Sequence, residues 1–240
     1  MTAHELASNV ERYPWYHTLE LGEGVVTRGM FDHRPILGRY PLPERLDGLR
    51  CLDVGTMDGF WAFEMERRGA AEVVAVDVED PEELDWPVSI RAQAVKALDE
   101  TKAERFALAR SALGSAVDRR PCSVYDLSAE ELGSFDFVHC GDLLVHLKDP
   151  VTAVERIRGV CRGSAVICNP IKRFRLHERR AIAELDGVGE FTWWVTNLTG
   201  LVQVVRAAGF ARVEPAKPFA LPFAGGGSWK GLRGAVHVYV

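Results

Sequence analysis

The stretch from Arg50 to Asp77 constrains this chain more than any other. Residues 50–54, Arg-Cys-Leu-Asp-Val, form a short apolar strand, and Gly55-Thr56-Met57-Asp58-Gly59 reads as a turn. Phe60, Trp61, Phe63 and Met65 then recur near helical spacing, Gly69 is a helix stop, and Glu72 to Asp77 is a β-branched strand that ends in an acid. Strand, glycine turn, helix and strand in this span describe a βαβ unit of about the expected length.

The alternation continues. Thr101 to Gly114 reads as a helix, Pro121 to Leu127 as a third strand with its exit loop, and Phe135 to Cys140 as a fourth strand. Asp149-Pro150 opens an amphipathic helix through capping by the acid and proline at the first helical position. Ser164 to Asn169 is a fifth strand. A last helix starts at Asn197 and stops at Gly209, and strands near 210–215 and 234–240 close the chain. Residues 216–231, which include Gly225-Gly226-Gly227, read as the loop between them. The expected fold is α/β: a Rossmann-like, seven-stranded, mostly parallel sheet with helices on both faces. Residues 1–48 precede it as an N-terminal lid or substrate segment. Residues 49–240 form the main domain, with an insertion at 170–196 after the fifth strand.

Composition narrows the function classes. There are 29 basic and 34 acidic side chains, a formal net charge of −5, which argues against a nucleic-acid partner that would need a basic face. The five cysteines are odd in number, and none has CxxC spacing, so they read as reduced core residues of a cytoplasmic protein without a metal site. No apolar run reaches the ~18–20 residues that span a bilayer.

The glycine turn lies at the carboxyl end of the first strand, the usual crevice for a nucleoside in such sheets. Its glycines let backbone approach a ligand closely. Asp77 ends the next strand, where a carboxylate can accept both hydroxyls of a ribose, and each charged hydrogen bond there is worth ~1.5–3 kcal/mol. The GxGxxG triplet that makes room for a pyrophosphate is missing. Asp53 beside the loop suits a ligand that carries an ammonium or sulfonium, which sets a nicotinamide dehydrogenase far behind.

These residues resemble the class I S-adenosylmethionine-dependent methyltransferases. Asp53-Val54-Gly55 and Gly59 match the first motif of that family, Asp77 matches the ribose-binding acid, and Phe135-Asp136-Phe137-Val138 resembles its fourth-strand motif. The resemblance implies S-adenosyl-L-methionine as cofactor, with Asp53, Gly55, Thr56 and Gly59 around the methionine part, Asp77 on the ribose, Ser123 and Val124 at the adenine, and Val78 as a further cofactor contact. Cys140 and Tyr16 complete the expected cofactor contacts.

A narrower resemblance is to the branch containing tRNA wobble-uridine methyl- and carboxymethyltransferases and their relatives. It is carried by Trp15-Tyr16-His17-Thr18-Leu19-Glu20-Leu21, Gly29-Met30-Phe31-Asp32-His33-Arg34, Asp58 to Glu64 and Cys122 to Leu127. The carboxymethylating enzymes of that branch hold an extra carboxylate with a lysine before the first strand and a tyrosine before the histidine that matches His146. Here no lysine precedes Lys96, and Val145 takes the tyrosine position, so ordinary methyl donation is expected.

His146, just past the fourth strand, is the leading candidate for a general base, since an unperturbed imidazole titrates near ~6.5. Asp142 and His17 are the further catalytic candidates. Trp15, His33, Arg34, Trp193, Trp194 and Asn197 are the expected substrate contacts. The basic run Lys172, Arg173, Arg175, Arg179 and Arg180 is either a solvated face or an anion site. The leading reading is transfer of a methyl group to an oxygen or nitrogen of a small molecule, with specialised metabolism as a setting. A tRNA-modifying enzyme and a non-catalytic binding protein on the same fold are the alternatives. Nothing in the sequence indicates an oligomeric state.

Overall fold

A computed structural model of the chain describes residues 2–91, 101–174, 179–188, 191–223 and 230–240. Gly225-Gly226-Gly227 and Arg175 lie outside the described residues. The strands are β1 (Arg50–Val54), β2 (Glu72–Asp77), β3 (Asp118–Pro121), β4 (Phe135–Gly141), β5 (Cys161–Pro170), β6 (Ala183–Leu185), β7 (Trp194–Thr196), β8 (Arg212–Pro215), β9 (Phe219–Pro222) and β10 (Lys230–Tyr239). The helices are α1 (Ala3–Glu11), α2 (Phe60–Arg67), α3 (Lys102–Leu113), α4 (Ala129–Leu132), α5 (Pro150–Val160) and α6 (Leu198–Ala207).

The main sheet runs β3-β2-β1-β4-β5-β10-β8. The first five strands in that order pair parallel, and β10 runs antiparallel to β5 and β8. Side chains alternate across the sheet, as the twofold period of a strand requires. Cys51, Val73, Ala75 and Phe137 point to the face covered by α2, α3 and the N-terminal segment. Leu52, Val74, Val76 and Val138 point to the face covered by α5 and α6. Two dry layers therefore flank the sheet, and both are needed because an all-apolar parallel strand cannot face water. Asp149 caps α5 by accepting from Thr152 N at 2.9 Å, with Pro150 supplying a first residue that needs no partner.

The structure departs from the expected elements in five places. The main sheet has eight strands rather than seven, because β9 adds antiparallel to β10 within what reads as a loop. The third strand lies earlier, at Asp118–Pro121, and Val124–Asp126 is a short 3-10 turn. Pro121 cannot donate to a ladder, and the Ser123 hydroxyl accepts from Tyr125 N, so the chain turns instead of extending. The strand at β5 starts at Cys161, directly after α5, and β10 starts at Lys230 rather than Gly234. Within the insertion, β6 and β7 pair antiparallel as a separate two-stranded sheet.

The N-terminal segment packs on the α2 side. Its two arms meet through a His17–Phe31 bridge, and Phe31 also bridges Phe223 beside β9. Gly29 permits this, since a Cβ there would lie 2.0 Å from the His17 carbonyl carbon, a backbone atom that cannot yield. Among the described residues no helix is long and apolar enough to cross a membrane.

Candidate active site

Asp58, in the glycine turn, is fully buried and clamps the N-terminal segment to the loop. Its Oδ2 accepts from Tyr16 N at 2.8 Å and His17 N at 3.1 Å, and its Oδ1 pairs with His17 Nδ1. Burial alone would raise its carboxyl; His17 and these hydrogen bonds outweigh burial and hold it below the usual range. Gly55 (φ +76°) and Gly59 (φ +95°) shape the turn in the left-handed region. A side chain at Gly59 would also run into the Phe63 and Phe106 rings.

Over this turn lies a cavity of about 310 Å³, at the lower end of ordinary ligand pockets. One half lies over the ends of β1, β2 and β3 and is walled by Gly55, Asp77, Val78, Lys102, Ser123 and Val124. The other half lies between the N-terminal segment and the β4, β5, β9 and β10 region. Its wall includes Tyr16, His17, His33, Tyr40, Trp61, His139, Asp142, Phe219 and Arg233. His146 also borders the cavity, near Trp86 and Phe191.

In the first half, Asp77 Oδ2 accepts from Met57 N at 2.8 Å, and Oδ1 is paired with Lys102 Nζ at 2.8 Å. Both oxygens of the Asp77 carboxylate therefore already accept hydrogen bonds from the protein itself. In the second half, Asp142 adopts φ +52°, an uncommon conformation for a residue with a side chain, and its Oδ2 accepts from Arg233 Nε at 2.7 Å. Arg233 is 3% exposed, and its guanidinium also sits 5.7 Å from the Phe31 ring centre. Asp142 Oδ1, Arg233 Nη1 and His33 Nδ1 are buried without a protein partner among the described residues. A buried donor or acceptor left bare costs ~1–3 kcal/mol, so these atoms suit a polar ligand. Burial lowers the titration of His146 and lowers that of His33 further, so both rings are neutral near pH 7. Burial, with Asp142 nearby, raises the Tyr16 phenol.

Of the residues singled out in the sequence, Tyr16, His17, His33, Gly55, Asp77, Val78, Ser123, Val124, Asp142 and His146 meet at this cavity. The others lie off its wall, for identifiable reasons. Asp53 turns to His139, whose Nδ1 is 2.8 Å from Asp53 Oδ1. Thr56 and Cys140 are buried behind the lining, and Gly59 serves as the turn before α2. Trp15 packs in the core with its Nε1 donating to Val10 O, and Arg34 pairs with Asp32 on the surface. Trp193 Nε1 donates to Asp85 O, and Trp194 Nε1 donates to Lys148 O at 2.9 Å. Asn197 caps α6: its Oδ1 accepts from Gly200 N at 2.8 Å and Ile182 N at 3.1 Å, and its Nδ2 donates to Arg180 O at 2.7 Å. That spends the side chain on backbone, as its capping position alone would suggest. Of the basic run, Lys172 is paired with Glu184.

Sequence reasoning missed Tyr40, Trp61, Lys102, His139 and Arg233. His139 is 0% exposed, yet it reaches the cavity wall. Their periodicity is that of packing residues, and only the tertiary fold turns them toward a common space.

Comparison with known proteins settles the family. The family described as "methyltransferase domain" matches residues 31–214, more than three quarters of the chain. The chain belongs to the methyltransferase-domain family. Its cofactor is S-adenosylmethionine, and the cavity fits that role: a left-handed glycine turn, an acid at the end of β2, and bare buried polar atoms on the wall. This methyltransferase domain is 36% identical over 111 residues to a ubiquinone biosynthesis O-methyltransferase of Xanthomonas euvesicatoria pv. vesicatoria (strain 85-10), covering 46% of this chain and 37% of that one. It is 33% identical over 129 residues to the protein of the same name from Xanthomonas campestris pv. campestris (strain B100), covering 53% and 45%. The chain thus spans less than half the length of the curated relatives it matches. In fold it is similar to the N-terminal domain of EvdMO1, crystallised in the presence of SAH and D-fucose, at a TM-score of 0.62 and 16% identity over 100% of this chain and 97% of that one. An SAM-dependent methyltransferase from Aquifex aeolicus gives 0.52 and 16%, covering 88% and 90%.

Proposed function

We propose that this methyltransferase domain transfers a methyl group to an oxygen or nitrogen of a small, largely apolar acceptor. The observation that carries this is one continuous cavity: a nucleoside-type half at β1–β3 runs into an aromatic half walled by the N-terminal segment. The named O-methyltransferase relatives point the same way. When bound, the cofactor supplies an activated methyl on a sulfonium. Asp77 and the Gly55 turn hold its nucleoside, with Val78, Ser123 and Val124 along the base. The protein's part is to align the acceptor and keep water out, and good alignment alone supplies ~7–11 kcal/mol of a barrier.

In this reading residues 1–48 are a lid and substrate segment on the domain at 49–240. Asp142 and Arg233 offer one bare acceptor and one bare donor to the ligands, and His17, locked by Asp58, fixes the lid. His146 donates from Nδ1 to Phe191 O, which leaves Nε2 as an acceptor for a polar group of the substrate. We place the reaction in the cytoplasm, which five unpaired cysteines favour, and in specialised metabolism, on the aromatic insert and the acidic balance.

The test is calorimetry with S-adenosylhomocysteine followed by transfer of labelled methyl to small hydroxylic and amine acceptors and to tRNA. Binding with transfer to a small acceptor is the expected result. Transfer to tRNA alone would replace this reading with the wobble-uridine one, and binding without any transfer would favour a non-catalytic role.

A further inference from the structure

A chain of three side chains runs from the aromatic half of the cavity into the sheet. Tyr40 Oη lies 2.7 Å from His139 Nε2, and His139 Nδ1 lies 2.8 Å from Asp53 Oδ1. Tyr40 and His139 both line the cavity, whereas Asp53 is 1% exposed and behind it. A carboxylate only accepts, so His139 carries its proton on Nδ1. Nε2 is then bare and accepts from the Tyr40 hydroxyl. That leaves lone pairs on Tyr40 Oη for a donor in the cavity, beside the Cys168 thiol that also meets this hydroxyl.

The arrangement is rigid. The Trp61 ring lies 4.1 Å from the Tyr40 ring and 4.7 Å from the His139 ring, centre to centre, and so holds both. Gly141 leaves the room, since a Cβ there would come within 2.9 Å of His139 Cε1. The placement is also costly. His139 interrupts an apolar strand, Phe137-Val138-His139-Cys140, and Asp53 Oδ2 has no partner among the described residues. Apolar residues of similar volume would serve packing as well or better than a buried acid and imidazole.

We propose that Tyr40, His139 and Asp53 form a proton relay that takes the hydroxyl proton of the acceptor during methyl transfer, which makes the acceptor a hydroxylic, ring-bearing molecule of phenol-like character. This rests on the methyltransferase reading above and names the acceptor class within it. The acceptor oxygen forms its bond to the methyl carbon as the bond from that carbon to sulfur breaks, its pair staying on sulfur. The proton of the acceptor passes to Tyr40 Oη, and the proton of Tyr40 passes to His139 Nε2. One positive charge thereby leaves sulfur and one appears on the imidazolium, against the Asp53 carboxylate. Burial holds the Tyr40 phenol well above its ordinary range, so it carries the proton and does not keep it as a phenolate. Tyr40 is the catalytic residue; His139 and Asp53 position and charge-balance it. His146 is the weaker terminus, because its Nδ1 faces a backbone carbonyl and no carboxylate.

Two measurements test the relay. The first uses the wild-type protein with S-adenosylhomocysteine bound, and reads the His139 tautomer by imidazole nitrogen NMR. The Nδ1–H form with bare Nε2 is expected at neutral pH; the Nε2–H form or a doubly protonated ring overturns the relay. The second compares methylation of catechol and of the more acidic 4-nitrocatechol. Tyr40→Phe and His139→Gln are expected to lower kcat/KM for catechol by roughly 10²–10⁴-fold, and that for the largely ionised nitrocatechol by less than about tenfold. Equal losses on both acceptors, or methylation of amines with no hydroxylic acceptor accepted, overturn it. Failure of the wild-type protein to bind S-adenosylhomocysteine sinks the methyltransferase reading itself, whereas binding with the wrong tautomer sinks the relay alone.

Discussion

Replacing Asp58 with alanine isolates the contact that joins the N-terminal segment to the glycine turn. The carboxylate is 0% exposed and takes two backbone N–H groups, from Tyr16 and His17, as well as the His17 ring. The ring can rotate after truncation, but the two backbone donors cannot, and each bare buried donor costs ~1–3 kcal/mol. Loss of a buried charge from a hydrogen-bonded pair typically costs ~3–5 kcal/mol, so about 4 kcal/mol is expected in total. For a chain of this size that corresponds to a fall of about 8–16 °C in Tm. Asp58→Asn keeps a carbonyl acceptor and is expected to lose about half as much. Calorimetric melting gives the stability, and hydrogen exchange across residues 13–33 shows where it is lost. Because the folded carboxyl titrates below its unfolded value of ~3.9, its stabilisation is present above that pH and disappears as pH falls through the folded value. The wild-type and Asp58→Ala melting curves should therefore converge in acid. An Asp58→Ala protein that melts within about 3 °C of wild type, with unchanged exchange in residues 13–33, would refute the clamp.

Further outcomes follow from the same geometry. Asp77→Ala removes the acid at the end of β2, and S-adenosylhomocysteine binding by calorimetry should weaken about 10- to 100-fold, the equivalent of ~1.5–3 kcal/mol; unchanged affinity would take Asp77 out of the cofactor site. Gly29→Ala puts a Cβ against the His17 backbone and should strip the N-terminal segment of its protection in hydrogen exchange, while a native exchange pattern would contradict the close approach. Asn197→Ala should cost about 2 kcal/mol by loss of the α6 cap and its strap to Ile182, with ligand affinity unaltered, and an affinity change without a stability change would restore Asn197 to the substrate site. His33 is held neutral by burial, so the unfolded chain binds more protons below ~6.5. Stability should fall as pH drops below that value, and His33→Gln should flatten the decline below about pH 6.5 in denaturant titrations.

Local features carried a good deal of this protein. A β-branched run, a glycine turn and a proline-led cap act over a few residues, so the βαβ unit, the capped helices and Asp77 at a strand end were legible from the letters. What the letters could not supply were contacts between residues far apart in the chain. Tyr40 precedes His139 by 99 positions, and Asp142 precedes Arg233 by 91. Each sits in a pattern that packing alone would explain. The strand β9 was hidden because a four-residue edge strand takes its hydrogen bonds from β10, not from its own sequence. Asn197, Trp193 and Trp194 look available in the sequence because it cannot show that backbone groups elsewhere already claim their polar atoms. Periodicity and turn chemistry are set by neighbours along the chain and fixed the sheet, whereas partner choice among buried polar groups is set by neighbours in space, and that was decided only when the sheet, the N-terminal segment and β10 closed around one cavity.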